Sequence, residues 1–213
     1  MVNVVAALKA IVHGLVKLAG MTPQTVEIEP GTVMDFWVPK QAIINTTTKN
    51  QTPKWNKPNK PVLVLAHPFA ADGILMWFLQ YAVYVPDFLF FGGSTTARAE
   101  RTAAFQAECL AKGLRKLGVE RCTVVGLSYG GIVGFKMATM YPDLVEAMVM
   151  SSTVIELTES ITNTCCTEIG VSRWSEFLLP ESVDGAKLIS SVGTHKWRNW
   201  LPDFVYPDVL ELQ

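Results

Sequence analysis

The sequence has little net charge, few cysteines and no long hydrophobic run, and each shortage removes a class of function. Eighteen basic residues nearly balance nineteen acidic ones, and the net charge of −1 predicts no nucleic-acid partner. The four cysteines lack the spacing of a disulfide framework or a zinc site, so we expect free thiols in a reducing, cytoplasmic compartment and no metal. No apolar run reaches the roughly 18 residues that a membrane span requires.

The chain does have apolar content: 49% of its 213 residues are hydrophobic, enough for one sizeable core. Residues 1–20 predict an amphipathic helix. One side is polar, and the other carries Val4, Leu8, Ile11, Val12, Leu15 and Leu18. Two interpretations stay open for this helix: it packs on the protein body, or it lies on a membrane surface as a peripheral contact.

The rest of the chain predicts an α/β fold. Two alternating segments around Pro30 and Gly31 predict an antiparallel hairpin. Apolar runs at 61–67, 81–87, 122–128 and 144–152 are typical of strands buried on both faces of a parallel sheet.

Helical patterns separate these runs, with predicted helices at 97–117 and 130–141. The expected architecture is a mostly parallel sheet with an N-terminal antiparallel hairpin and flanking helices. We therefore expect an N-terminal helix at 1–20, an α/β core at 21–152 and a partial helical cap at 153–213.

A serine between two glycines ends the third apolar run, at residues 122–128. Gly126-Leu127-Ser128-Tyr129-Gly130 fits the G-x-S-x-G pattern and lies between a predicted strand and a predicted helix. In such a turn the backbone of the serine is strained, its hydroxyl stands clear of the sheet, and side chains at the two glycines would collide. The helix that begins at Tyr129 directs its amide groups at the reacting oxygen. The pattern thus predicts Ser128 as a catalytic nucleophile.

At these residues the sequence resembles the α/β-hydrolase superfamily, and more closely the plant serine hydrolases with a helical cap. Four segments support the resemblance: the turn itself, "HPFA" (67–70) after the third predicted strand, "YVPDFLFFGGS" (84–94) after the fourth, and "RWSEFLLPES" (173–182) in the cap region. It implies that the N–H groups of Phe69 and Tyr129 form an oxyanion hole, and that His67 and Asp87 support it. Pro68 and Phe90 depart from the family pattern, which has small residues at both positions.

The resemblance implies a serine esterase or lipase, or a carbon–carbon-bond hydrolase, that acts on a small hydrophobic ester-like or acyl substrate without a cofactor. The family orders its triad as serine, acid, histidine, and none of the three histidines occupies the family position. His67, His195 and the acid Glu156 are possible substitutes. We expect the triad to be incomplete and activity to be weak or absent; the alternatives are a catalytically silent protein that binds a small molecule, or a fragment without stable function.

The same comparison of patterns implies that the chain is truncated at its C-terminus and lacks strands seven and eight of the family. The apolar strand at 144–152 would then have no partner on one side. We expect it to pair edge to edge with a second copy, unless residues 185–213 cover it.

Overall fold

The computed structural model describes residues 3–44, 54–58, 60–69, 72–77, 83–193 and 202–211. Two compact units are present, one of residues 12–155 and one that joins residues 1–11 to residues 156–213. The helices are α1 (Val4–Leu18), α2 (Gly73–Trp77), α3 (Ala103–Lys116), α4 (Tyr129–Met140), α5 (Glu159–Ile169), α6 (Trp174–Leu178), α7 (Val183–Gly193) and α8 (Tyr206–Leu210). The strands are β1 (Met21–Glu29), β2 (Thr32–Pro39), β3 (Ile43–Ile44), β4 (Lys54–Trp55), β5 (Val62–Ala66), β6 (Val85–Pro86), β7 (Thr95–Thr96), β8 (Cys122–Leu127) and β9 (Val145–Ser151).

Six strands of the larger unit line up in the order β1-β2-β6-β5-β8-β9. The β1–β2 hairpin is antiparallel, β6 pairs antiparallel with β2, and β5, β8 and β9 are mutually parallel. The two groups join at Tyr84. Its N–H donates to the carbonyl of Leu63 (2.8 Å) and its carbonyl accepts from the N–H of Leu65 (2.9 Å), both residues of β5. The predicted fold class, a mostly parallel sheet with an N-terminal antiparallel hairpin, is confirmed.

Helix α3 begins six residues later than the sequence pattern predicts. Ala97 donates its N–H to the carbonyl of Gly31 (2.9 Å), which holds this segment beside the hairpin rather than in a helix. The helix then begins after Thr102, whose hydroxyl accepts a hydrogen bond from the Phe105 N–H (3.1 Å). A threonine N-cap of this kind satisfies one of the otherwise unpaired amides of the first turn.

Helix α1 forms where it is predicted, but a different side of it meets the protein body. Val12 and Val16 are buried in a cluster with Met21 and Trp37, and the His13 ring lies 5.0 Å from the Trp37 ring. Most of the apolar side that the sequence suggested for packing is exposed instead. The helix thus packs on the body through Val12 and Val16, and the other residues of its apolar side take no part in that packing.

Strand β9 pairs with β8 on one side and with no described strand on the other. Its apolar sequence predicted burial on both faces, yet Val145 is its single buried residue, and Val149 and Met150 are exposed. Among the described strands β9 is thus the edge of the sheet, as expected for residues 144–152, whereas the burial on both faces that its apolar sequence favours is not observed. An exposed apolar edge of this kind is a template for pairing with another chain.

The expected edge-to-edge homodimer stays a prediction, which the substitution Val149→Lys tests. A lysine on an edge strand opposes pairing because its charge would be desolvated in the contact. We expect size-exclusion chromatography to show a concentration-dependent dimer for the wild type and a monomer for Val149→Lys. The control Val192→Lys changes a valine that is 52% exposed, close to the 53% of Val149, and should leave the dimer intact. A wild type that stays monomeric at all concentrations would contradict the prediction.

The smaller unit contains only helical elements in its described residues. Its interior is formed by one apolar side chain from each helix or turn, namely Cys166, Phe177, Ala186, Val205 and Tyr206. This agrees with the absence of buried-strand patterns after residue 153. In the described part of the whole chain, no helix combines the length and the apolar character needed to cross a bilayer.

Candidate active site

Ser128 lies at the tip of the turn between β8 and α4. Its backbone has φ 52° and ψ −119°, a conformation that side-chain-bearing residues rarely adopt. The Ser128 N–H donates to the carbonyl of Ser151 (3.0 Å), and its own carbonyl accepts from the Gly131 N–H (2.9 Å). The residue is only half-buried. The predicted strained turn is confirmed, and the backbone bonds on both sides hold Ser128 in it.

The two glycines of the pattern are required by the close approach of backbone segments. A Cβ atom at Gly126 would lie 2.5 Å from the carbonyl oxygen of Gly130. One at Gly130 would lie 2.6 Å from the carbonyl carbon of Ala66 and 2.7 Å from the carbonyl oxygen of His67. Cβ contacts this short do not occur in relaxed structures. The glycine spacing is therefore explained by sterics at the junction of β5, β8 and α4.

His67 follows β5 and is completely buried. Its Nε2 accepts a hydrogen bond from the Phe88 N–H (2.9 Å), and its Nδ1 lies 2.7 Å from the carbonyl oxygen of Pro68. An acceptor at Nε2 and a carbonyl beside Nδ1 together require the neutral ring with its proton on Nδ1. His67 thus ties the segment after β5 to the segment after β6, and the Nε2 lone pair that a general base would use is engaged by Phe88.

Aromatic rings gather around the turn. The ring of Tyr129 meets those of Phe69 and Phe88 edge-on, with centroids 5.9 and 5.8 Å apart, and Phe69 meets Phe91 at 5.3 Å. Burial raises the pKa of the Tyr129 phenol, so this ring is uncharged at neutral pH. The structure therefore brings Phe69 and Tyr129 together beside Ser128, and the assignment of their N–H groups to an oxyanion hole stays a prediction.

Asp87 has a structural place in the segment that follows β6. Its Oδ1 accepts from the Gly73 N–H at the start of α2 (2.7 Å), and its carbonyl accepts from the Ser94 hydroxyl (2.7 Å). Its own N–H donates to the backbone carbonyl of Asp35 in β2 (2.8 Å). Phe90, where the family pattern has glycine, adopts φ 76°. The loop keeps its left-handed turn at Phe90 although the residue is not glycine.

Sequence reasoning missed two residues near the site. Gln106 is buried and holds both backbone groups of Leu89, accepting at 2.9 Å and donating at 3.1 Å. A glutamine on a helix is usually a surface residue, so the sequence carries no signal for this role. Ser152 follows β9 with φ 48°, next to the strained Ser128, because Ser151 and Leu127 are register partners. No residue pattern marks that strain.

The structure describes two of the three histidines, and neither is placed as a base for Ser128. The His13 ring contacts the Trp37 ring at a tilt, His67 holds the loop after β5, and His195 lies outside the described residues. Glu156 is exposed and belongs to the smaller unit. Within the described ranges, no three His, Cys, Asp or Glu side chains are grouped so that they could hold a metal ion.

Comparisons with known proteins agree with this arrangement. The family described as the alpha/beta hydrolase fold matches residues 61–178. An uncharacterized protein of Mycobacterium tuberculosis is 36% identical over 73 residues, which are 34% of this chain and 21% of that protein. That relative is described only as uncharacterized, so this match indicates no particular activity.

Two solved structures share the fold at low sequence identity. A membrane phospholipase A has a TM-score of 0.64 at 18% identity, over 98% of this chain and 63% of that one. The 2-hydroxy-6-oxo-6-phenylhexa-2,4-dienoate hydrolase of Rhodococcus sp. RHA1 has a TM-score of 0.64 at 13% identity, over 90% and 66%. The chain thus spans about a fifth of the curated relative and just under two thirds of these solved structures.

Proposed function

Because the chain belongs to the alpha/beta hydrolase fold family, we propose that it is a serine hydrolase of the esterase or lipase type with Ser128 as its nucleophile. The observation that carries the proposal is the strained backbone of Ser128 at the start of α4 (φ 52°), held between two close-packed glycines. Strain of this kind is retained where the surrounding structure enforces it, and it is concentrated at functional sites. A serine in an ordinary turn would not need it.

The proposed chemistry follows from what surrounds the serine hydroxyl. The Ser128 Oγ attacks the carbonyl carbon of an ester, and the negative charge that develops on the carbonyl oxygen is stabilised by the N–H groups of Phe69 and Tyr129. Tyr129 is the first residue of α4, where backbone amides lack intrahelical partners. The hydroxyl proton passes to solvent and the alcohol leaves with a proton from solvent; water then hydrolyses the acyl-serine ester, which releases the acid and restores the hydroxyl.

A small hydrophobic acyl group fits the neighbourhood best. The rings of Phe69, Phe88 and Tyr129 surround the turn and are uncharged, so they offer apolar contact rather than recognition of a charged substrate. A carbon–carbon-bond hydrolase with a serine nucleophile is the second candidate, since a dienoate hydrolase shares the fold. The serine at this turn argues against epoxide hydrolysis, which would call for an aspartate nucleophile.

We propose that turnover is slow. Neither described histidine is placed to accept the Ser128 proton, and without a base only the oxyanion hole and substrate binding accelerate the reaction, by about 10³–10⁴-fold over water. A catalytically silent protein that binds a small hydrophobic molecule at the same turn is the alternative function.

A fluorophosphonate probe and p-nitrophenyl acetate test the proposal together. We expect slow labelling of the wild type, no labelling of Ser128→Ala, and unchanged labelling of the control Ser190→Ala on helix α7. Hydrolysis of p-nitrophenyl acetate should be only a little faster for the wild type than for Ser128→Ala. Robust turnover that needs Ser128 but survives in both His67→Ala and His195→Ala would overturn our account of the base. Ligand-induced thermal stabilisation without any labelling would favour the binding protein.

A further inference from the structure

Helix α1 presents a continuous apolar stripe to solvent. The stripe consists of Val4, Leu8, Ile11, Leu15 and Leu18, which recur at alternating spacings of four and three residues. Each of them is 45% exposed or more, and Leu18 is 86% exposed. Residues at these spacings lie on one face of a helix. Five large exposed apolar side chains on one face are unusual, because a soluble protein gains stability by covering such a patch.

The side of the helix that flanks the stripe, with Val12 and Val16, is firmly held, so the stripe is not the result of a loosely placed segment. Val12 and Val16 are 5% and 2% exposed and belong to a buried cluster that includes Met21, Trp37 and Leu65. The Lys40 Nζ also donates a hydrogen bond to the carbonyl of Lys17 in the last turn (2.9 Å). The larger unit thus fixes the C-terminal part of α1, in which Leu15 and Leu18 of the stripe are exposed.

The charges around the stripe are positive. Apart from His13, the ionisable side chains within α1 are Lys9 and Lys17, and there is no acidic residue in the helix. Lys17 and Lys40 are exposed and lie together at its C-terminal end. At the opposite end of the helix, Asp208 accepts a hydrogen bond from the Val4 N–H (2.6 Å). An occupant of the stripe should therefore be apolar at its centre and negative at its rim.

A second copy of the chain fits this description poorly. Helix α1 has 15 residues, so its apolar face is about 22 Å long and about 10 Å wide. The resulting footprint of about 220 Å² is far below the roughly 800 Å² per partner of a stable protein interface. Two such helices side by side would also place lysines near lysines, with no acidic residue in either helix to pair with them.

We propose that α1 binds the surface of an anionic phospholipid bilayer, with the stripe inserted at the boundary between headgroups and acyl chains. An interfacial helix combines an apolar face with basic residues, and its binding grows with buried apolar area and with negative lipid charge. The bilayer supplies both at once, since acyl chains cover Leu8, Ile11 and Leu15 while lipid headgroups attract Lys17 and Lys40. This docking does not depend on the chemistry at Ser128.

Vesicle flotation of the whole protein tests the proposal without any measurement of turnover. We expect binding to vesicles of 70:30 phosphatidylcholine and phosphatidylglycerol, weaker binding to pure phosphatidylcholine, and release by salt. The double variant Ile11→Gln/Leu15→Gln should weaken binding roughly a hundredfold, because two apolar side chains no longer insert. Lys17→Gln should weaken binding to the anionic vesicles roughly fivefold.

The control Leu179→Gln/Val192→Gln replaces two exposed apolar residues of similar exposure outside α1 and should bind like the wild type. Circular dichroism checks that all variants are folded, which is expected because every substituted side chain is exposed. Equal binding by Ile11→Gln/Leu15→Gln and the wild type would overturn the proposal, as would no binding to either kind of vesicle. A dimer that only Ile11→Gln/Leu15→Gln abolishes would show that a second copy covers the stripe instead.

Discussion

Replacing Gly130 by alanine should lower the free energy of unfolding by about 3 kcal/mol or more and abolish probe labelling of Ser128. The added methyl group would stand 2.6 Å from the carbonyl carbon of Ala66 and 2.7 Å from the carbonyl oxygen of His67, both backbone atoms. Backbone atoms cannot rotate away as a flexible side chain can. The start of α4 must therefore separate from β5, which also moves Ser128. Urea denaturation followed by circular dichroism measures the loss.

Gly14→Ala is the matched control for this substitution. Gly14 lies in the middle of α1, where alanine gains about 0.5–1 kcal/mol in helix propensity, and Gly130 is the second residue of α4, where the gain is no larger. Apart from its chain neighbours and its own helix backbone, no atom of the described residues lies within 4 Å of a Cβ built at Gly14, whereas a Cβ at Gly130 meets the end of β5. We expect Gly14→Ala to be slightly stabilising. If Gly130→Ala were as stable as Gly14→Ala, the close approach of α4 to β5 would be disproved as the reason for the glycine.

The turn could be predicted from the sequence because its requirements are local. A strand of β-branched residues, a serine between spaced glycines and a following helix all come from one stretch of about 18 residues, and sterics leave few alternatives. The parallel order of β5, β8 and β9 was predictable for a similar reason, since strands alternating with helices restrict the topology. The strain at Ser128 was therefore predictable from the sequence.

The packing side of α1 could not be predicted in the same way. A helical wheel shows where apolar side chains lie, but it does not show which of them meets the body. Here the tilted contact of the His13 ring with the Trp37 ring and the burial of Val12 and Val16 decide the orientation, and these contacts join residues far apart in sequence. The unpaired edge of β9 was expected from the strand pattern, but the exposure of its faces was not, because an apolar sequence does not show whether other elements cover the strand.

The role of His67 was only partly predictable. Its position after β5 favoured a histidine that holds the segment after that strand, and its Nδ1 does lie 2.7 Å from the Pro68 carbonyl oxygen there. Its partner, the N–H of Phe88, lies 21 residues further along the chain and has no side-chain signature. Gln106 and Leu89 form a similar pair of side chain and backbone. Contacts to backbone amides leave no trace in the sequence of the residue that donates.

His67→Ala should lower the free energy of unfolding by about 3–5 kcal/mol. The substitution leaves the buried N–H of Phe88 without its acceptor, which costs about 1–3 kcal/mol. It also leaves a cavity beside Phe88 and Phe91, whose rings lie 4.5 and 5.0 Å from the imidazole. His67→Gln returns an acceptor of similar reach and should lose less stability than His67→Ala. Urea denaturation of both variants measures the difference.

His13→Ala is the control that separates the loss of stability in His67→Ala from the general effect of removing an imidazole. The His13 ring also contacts an aromatic ring, that of Trp37 at 5.0 Å, but His13 is only half-buried and lies in a helix, where alanine is favourable. Its replacement should cost about 1 kcal/mol or less. If His67 only holds the loop, labelling of Ser128 in His67→Ala should fall in proportion to the unfolded fraction. His67→Gln should restore it. A stable His67→Ala protein whose labelling is lost, and is not restored by His67→Gln, would instead make His67 the missing base, because a glutamine cannot accept the proton of the serine.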